Sequence, residues 1–186
     1  MREICRAASA NIAAVNYHFG DKVGLYQEVL GMAIETMQGT TAAARREGEG
    51  RTAEQKLRIY IRVFLQRVAG TGDDSWIHQL MAHEMADPTP ALDMVAEDVL
   101  KPRTAYLCSI IAELTHCPAD SPHVMRCALS VQAQFNSMLW SQAVVRMMHV
   151  AEMPTPTLDE ITEHITQFSL GGIRQVRLKP DPTTRG

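Results

Sequence analysis

Aromatic residues make up only 5% of this 186-residue chain, too few for the alternating aromatic and β-branched strands of a sandwich or barrel. Cysteine is sparse as well. Cys5, Cys108, Cys117 and Cys127 form no CxxC pair and no regular framework, which excludes a disulfide scaffold or zinc ribbon and points to a reduced, cytoplasmic setting. Long apolar runs are missing. Residues 127–145 carry no charge, but Gln132, Gln134, Asn136, Ser137, Ser141 and Gln142 interrupt them, as expected of a buried helix and not a membrane span. Charges at Arg2, Glu3 and Arg6 argue against a signal peptide. No nucleophile elbow, phosphate loop, paired carboxylates or HExxH stretch occurs, so neither a catalytic residue nor a cofactor is expected.

What is present favours helices. Apolar residues reach 46%, eleven of them Met, with a mean hydropathy of -0.12, the composition of one packed domain of ordinary size. Charge is unevenly spread: residues 1–67 hold ten Lys/Arg against seven Asp/Glu, whereas residues 68–173 hold four against thirteen. A basic front on an acidic body would meet a polyanion front first.

Apolar spacing and breakers divide the chain. Two short helices, with Ile4, Ala7 and Ala8 on one face of the first and Ile12, Val15 and Phe19 on one face of the second, flank Ser9-Ala10-Asn11. Asp21 is positioned to cap a longer helix with Leu25, Val29, Met32 and Met37, ending near Arg45-Arg46. The capping box Thr52-x-x-Gln55 opens a helix with Leu57, Ile61, Phe64, Leu65 and Val68 inward, stopped by Gly70 and Gly72. Asp73 or Asp74 caps a helix striped by Trp76, Ile77, Leu80 and Met81 that Asp87-Pro88 ends. Thr89-Pro90 starts the next, with Leu92, Val95 and Val99 inward, and Lys101-Pro102 breaks or kinks it. Leu107, Ile110, Ile111 and Leu114 mark a further helix before Cys117-Pro118. From Ser121-Pro122 to about Val150 the chain is apolar on two faces, Val124, Val131, Phe135 and Met138 on one and Leu129, Trp140 and Met147 on the other. A second capping box, Thr157-x-x-Glu160, opens a last helix with Leu158, Ile161, Ile165 and Phe168 on one face, closed by Gly171-Gly172. No internal repeat is found.

The segment Arg2 to Leu30, REICRAASANIAAVNYHFGDKVGLYQEVL, resembles the DNA-binding motif of the TetR family of one-component bacterial regulators. The resemblance rests on the small-residue turn Ala8-Ser9-Ala10-Asn11, the cluster Asn16-Tyr17-His18-Phe19 and Lys22 at the start of the next helix. It implies that Asn11, Ala13 and Ala14 approach base edges of double-stranded operator DNA, that Tyr17, His18 and Lys22 hold phosphates, and that Phe19 and Leu25 pack the junction. Asn16 stands where many family members place Tyr, and its amide suits an adenine edge or a phosphate. The family's unit has three helices, and here Met1 falls at the start of the second.

The remainder resembles the C-terminal regulatory domain of a CerR-like branch of that family, through HEMADPTPALDMVAEDVLKPR and ALSVQAQF. It implies an all-α fold: a helix-turn-helix with its connecting helix in residues 1–47, a ligand-binding and dimerisation domain in 48–173, and a tail in 174–186. The last two long helices would pair in a homodimer, which the two-faced apolar helix favours independently. Candidate effector contacts are Trp76, His78, Met81, Glu84, Gln134 and Met138. Glu84 reads either as a polar anchor in a Met-lined pocket or as a helix-end carboxylate paired with Arg103 or capping the turn that follows its helix. Gln134 and Asn136 divide between pocket, dimer seam and packing. His116, Cys117, His123 and Cys127 fit no standard zinc spacing, so no metal is expected. The function implied is a ligand-responsive transcriptional regulator, most often a repressor. The rivals are a dimeric helical small-molecule module without DNA binding and, less favoured for want of a catalytic constellation, a helical enzyme.

Overall fold

The computed structural model describes residues 1–69, 75–89, 91–147 and 156–175, with the side chains of 68, 69, 75, 78, 85, 91 and 136–147 outside that description. The chain runs α1 (Arg2–Ala7), α2 (Ile12–Phe19), α3 (Lys22–Gly48), α4 (Ala53–Ala69), α5 (Ser75–Ala86), α6 (Ala91–Val95), a π turn (Ala96–Leu100), α7 (Lys101–Thr115), α8 (Pro122–Met147) and α9 (Leu158–Gln175). Among the described residues there is no strand, so the all-α expectation holds.

Local chemistry sets most of the starts. Asp21 Oδ1 accepts from Gly24 N at 2.9 Å, and the reciprocal Thr52/Gln55 bonds measure 3.1 and 3.3 Å. The Thr157/Glu160 box closes likewise at 2.7 and 3.2 Å, and Ser121 Oγ accepts from Val124 N at 3.3 Å. The expected stops at Gly70 and Gly72, and the caps at Asp73 or Asp74, lie outside the described residues.

Helix α4 is the central post, packed on α3, α7, α8 and α9. Its Leu57, Tyr60, Ile61, Phe64 and Leu65 are buried against Leu107, Ile110 and Ile111 of α7, Val131 and Phe135 of α8, and Ile165 and Ile173 of α9. A second, smaller cluster joins Leu30 and Ile34 of α3 to Val95 and Val99, with Leu80, Met81 and Leu92 against it.

Several expected faces are corrected. On α3 the buried line is Leu30, Ala33, Ile34, Thr40, Thr41 and Ala44, and Met32 points outward. On α9 it is Thr162, Ile165, Thr166, Ser169, Leu170 and Ile173, leaving Phe168 67% exposed. Small hydroxyl residues can be buried there because each bonds back one turn, Thr162 to Leu158 O at 2.7 Å and Thr166 to Thr162 O at 2.6 Å. Gly171-Gly172 does not end α9, since Ile173 packs in the core and Arg174 bonds Glu54; Arg174 and Gln175 thus belong to the helix and not to a tail. In the front unit Cys5 is buried, whereas Ile4 and Ile12 are 44% and 39% exposed and Phe19 is also exposed.

Lys101-Pro102 does not break the helix. Proline offers no N–H to the carbonyl of Asp98, four residues back, and Gln38 Nε2 of α3 donates to that oxygen at 3.2 Å. The chain passes from α6 to α7 through the π turn.

Two glycines make the α2–α3 corner. Gly20 adopts φ +75°, and a Cβ on Gly24 would stand 2.0 Å from the Phe19 carbonyl oxygen. Gly24→Ala is therefore expected to cost about 3 kcal/mol locally and to raise amide exchange across α2 while α4 and α7 keep their protection. Unchanged exchange in α2 would refute the corner's dependence on that close approach.

Candidate nucleic-acid interface and its junction with the body

The front unit is built for display. Ser9, at φ +51°, turns the chain between α1 and α2, and Asn11 caps α2 through a 2.8 Å bond from Ala13 N to its Oδ1. Asn11 thus spends its side-chain oxygen on the helix start and keeps its NH2 for another partner. Ala13, Ala14, Asn16, His18 and Lys22 are all exposed, and Tyr17 is 86% exposed. Tyr17 and His18 meet edge to face at 5.3 Å between ring centres, and His18 and Phe19 at 6.3 Å. Lys22 opens α3 beside its Asp21 cap. Two ring-borne donors and an ammonium group accordingly share one end of the unit. No residue of α2 is buried.

The expected effector residues are dispersed. Trp76 and Met81 of α5 are half-buried, and Met81 packs into the smaller core cluster. Gln134 sits elsewhere, between α8 and α9, donating to Ser169 Oγ at 3.0 Å and Ser130 O at 3.4 Å. The side chains of His78, Asn136 and Met138 lie outside the described residues. Surface hollows of about 530 and 430 Å³ flank the α3–α4 turn, and neither includes a residue expected to contact effector. His123 Nε2 and Cys127 Sγ are 3.9 Å apart, and among the described residues no three His, Cys, Asp or Glu converge.

Glu84 is the residue whose environment is most informative. It is fully buried, and its Oε2 accepts from Thr89 Oγ1 at 2.9 Å and Thr89 N at 3.3 Å. Its Oε1 accepts a short hydrogen bond from the Tyr26 hydroxyl. The expected alternative of an ion pair with Arg103 is not formed; the carboxylate holds the Thr89 turn instead, in agreement with the capping alternative. Tyr26 is the partner that sequence reading did not supply, because 58 residues separate it from Glu84. Through it α5 is bonded to the first turns of α3, a few residues beyond Lys22.

Hydrogen bonding from Tyr26 holds the Glu84 carboxyl below the usual carboxylate range; burial opposes this, and Thr89 and the charge of His83 add to it. Burial, with the Glu84 bond and charge, pushes the Tyr26 hydroxyl up to about 12.

The architecture defines a class: a helix-turn-helix unit joined by one long helix to an all-helical body. Residues 53–173 match the C-terminal domain of the HTH-type transcriptional dual regulator CecR, and the chain belongs to that family. It is 30% identical over 132 residues to the HTH-type transcriptional dual regulator CecR of Shigella flexneri, a match covering 67% of this chain and 59% of that protein. The chain thus spans about three fifths of the length of the curated relative it matches.

The junction gives a pH prediction. Glu84 binds its proton less readily when folded, so its contribution is present above about pH 4.5 and fades as pH falls through its lowered pKa. Tyr26 binds its proton more tightly when folded, so its contribution is intact below pH 10 and is lost as pH climbs towards 12. Tyr26→Phe should cost about 2 kcal/mol at neutral pH, and the gap to the unsubstituted chain should narrow in acid and in strong alkali. Urea unfolding across pH measures it; a gap independent of pH would mean that the cost does not come from the bond between the Tyr26 hydroxyl and the ionised Glu84 carboxylate.

Proposed function

We propose that this chain is a TetR-type, ligand-responsive transcriptional regulator acting as a cytoplasmic homodimer. It is a repressor released from operator DNA by a small-molecule effector, not an enzyme. The observation that carries the reading is α2, without a buried residue and with Tyr17 and His18 exposed, capped by Asn11 and followed by Lys22, ahead of a CecR-type domain. Two copies of α2 would enter successive major grooves of a near-palindromic site, with the alanines permitting close approach and Tyr17, His18 and Lys22 on phosphates. Residues 1–47 would form the DNA-reading unit and 48–173 the regulatory one. Effector binding would alter the spacing of the two reading units through α3, shifting a population only by its differential affinity for the two states.

Homodimerisation is supported by apolar side chains left outside on the last two helices. Leu129 of α8 is 54% exposed, and Met125 and Phe168 are exposed as well. An isologous four-helix seam would cover them. Phe168→Asp is expected to shift the chain from dimer to monomer in sedimentation equilibrium with its helix content retained; a dimer of unchanged affinity would place the seam elsewhere.

A second reading, a dimeric helical ligand-binding module without DNA binding, is favoured by the exposure of Ile4 and Ile12 and by the lack of a buried residue in α2. Binding to labelled DNA from the gene's own upstream region, measured against salt, separates the two. The regulator should bind with a steep salt slope that Lys22→Ala lowers by about one. No binding, or a slope that Lys22→Ala leaves unchanged, would favour the module.

A further inference from the structure

The contacts that hold α3 to the rest of the body thin out towards its front. At the far end the helix is embedded, with Ala44 in the main core and its carbonyl accepting from Tyr106 Oη at 3.1 Å. Midway, Leu30 and Ile34 pack on Val95 and Val99, and Gln38 Nε2 donates to Asp98 O at 3.2 Å. Nearest the front stands Tyr26, half-buried, whose hydroxyl donates to Glu84 of α5. It lies about 18 Å from Gln38 along the helix axis, and Lys22 about 6 Å further on. Forward of this bond α2 packs on α3 and α1 on α2, so the angle of α3 decides where α2 points.

Glu84 is a two-sided tie. Its Oε2 accepts from Thr89 N and Thr89 Oγ1, in the turn that follows α5, and its Oε1 accepts from Tyr26. Bonds to an ionised acceptor are among the stronger ones, and a fully buried carboxylate oxygen that loses its donor has no water at hand to replace it. A shift of α5 or of the Thr89 turn therefore either carries Tyr26 with it or breaks the bond. Leverage makes small shifts count. A tilt of roughly 10° about Gln38 would carry Lys22, about 24 Å away along the axis, through about 4 Å, further than a hydrogen bond to phosphate can stretch.

We propose that Tyr26 and Glu84 are positioning residues for DNA recognition: their bond holds the front of α3 at the angle at which α2 meets the major groove, and it is the point where a displacement of α5 reaches the reading unit. The proposal rests on the regulator reading above and assigns the contact through which the body governs that unit. Neither side chain touches DNA in this role. The bond acts by pre-organisation, because two reading units held at a fixed angle lose less freedom on binding than two that swing.

The test uses the full chain and labelled DNA from the gene's own upstream region, with Tyr26→Phe, Glu84→Gln, the double variant and Tyr106→Phe, all at a temperature where each is folded by circular dichroism. Tyr106→Phe is the matched control: it also removes one tyrosine hydroxyl bonded to α3, but at the end embedded in the main core. Tyr26→Phe is expected to weaken DNA binding by at least about fivefold, the lower end of coupling between sites, with the salt slope unchanged because Tyr17, His18 and Lys22 remain. The losses in Tyr26→Phe and Glu84→Gln should not add in the double variant, and Tyr106→Phe should bind as the unsubstituted chain does. Unchanged or tighter binding by Tyr26→Phe, an equal loss in Tyr106→Phe, or full additivity would each overturn the proposal. If Glu84→Gln does not fold, Tyr26→Phe against Tyr106→Phe decides alone. Hydrogen exchange on the same samples separates this contact from the regulator reading. If the unsubstituted chain binds no DNA, the regulator reading falls, and faster exchange in residues 12–30 of Tyr26→Phe than of Tyr106→Phe would still show that the bond holds the front unit; equal exchange would remove that role too.

Discussion

Helix α3 runs without interruption from Lys22 to Gly48, and that continuity constrains everything on either side of it. Its first turns form the corner with α2, its middle packs on the α6 and π-turn side chains, and its last turns meet α4 and α7. A helix tied by main-chain hydrogen bonds along its whole length moves as a rod, so its ends cannot reorient independently. Its attachments are of different kinds at different heights. Near the front Tyr26 is bonded to a buried carboxylate, midway Gln38 serves a carbonyl that proline deprived of its donor, and at the far end Arg45 lies over the Tyr106 ring while the Tyr106 hydroxyl donates to Ala44 O.

The two hydrophobic clusters differ in size and composition. The larger one spans five helices and includes most of the fully buried bulk, whereas the smaller is Leu30, Ile34, Val95 and Val99 with half-buried Leu and Met around them. Little apolar area and two Met side chains, Met37 and Met81, make an interface that can repack at modest cost. Through this interface α3 meets α5 and α6, while α4, α7 and α9 keep their shared core.

What was legible in the sequence was the chemistry that acts within one turn. Both capping boxes, Asp21 and Ser121 were read correctly because a cap and its N–H groups lie within three residues of each other. Apolar periodicity was less secure. It assigned Met32 and Phe168 to the inside, where the helices bury Ala33 and Ile34 or Ser169 and Leu170 one residue further on. Thr162 and Thr166 escape a hydrophobic pattern altogether, since what permits their burial is a bond to the helix's own carbonyls. The junction was half legible: Glu84 stood out as a carboxylate on an apolar stripe, but Tyr26 had no local mark, because its bond to Glu84 spans 58 residues and only the assembled helices specify it.

The π turn at Ala96–Leu100 has a meaning of its own. A π turn holds one residue more than the α-helical turn it replaces, so the helix from Ala91 to Thr115 carries a single-residue insertion that has been accommodated without a loop. Every side chain after it is rotated by roughly 100° about the axis from where an uninterrupted α-helix would place it. Val95 and Val99 face α3, and Leu107, Ile110 and Ile111 face α4 and α8, because the rotation falls between them. One extra residue thus lets a single rod address two different neighbours, and deleting it would turn the apolar side of α7 towards water.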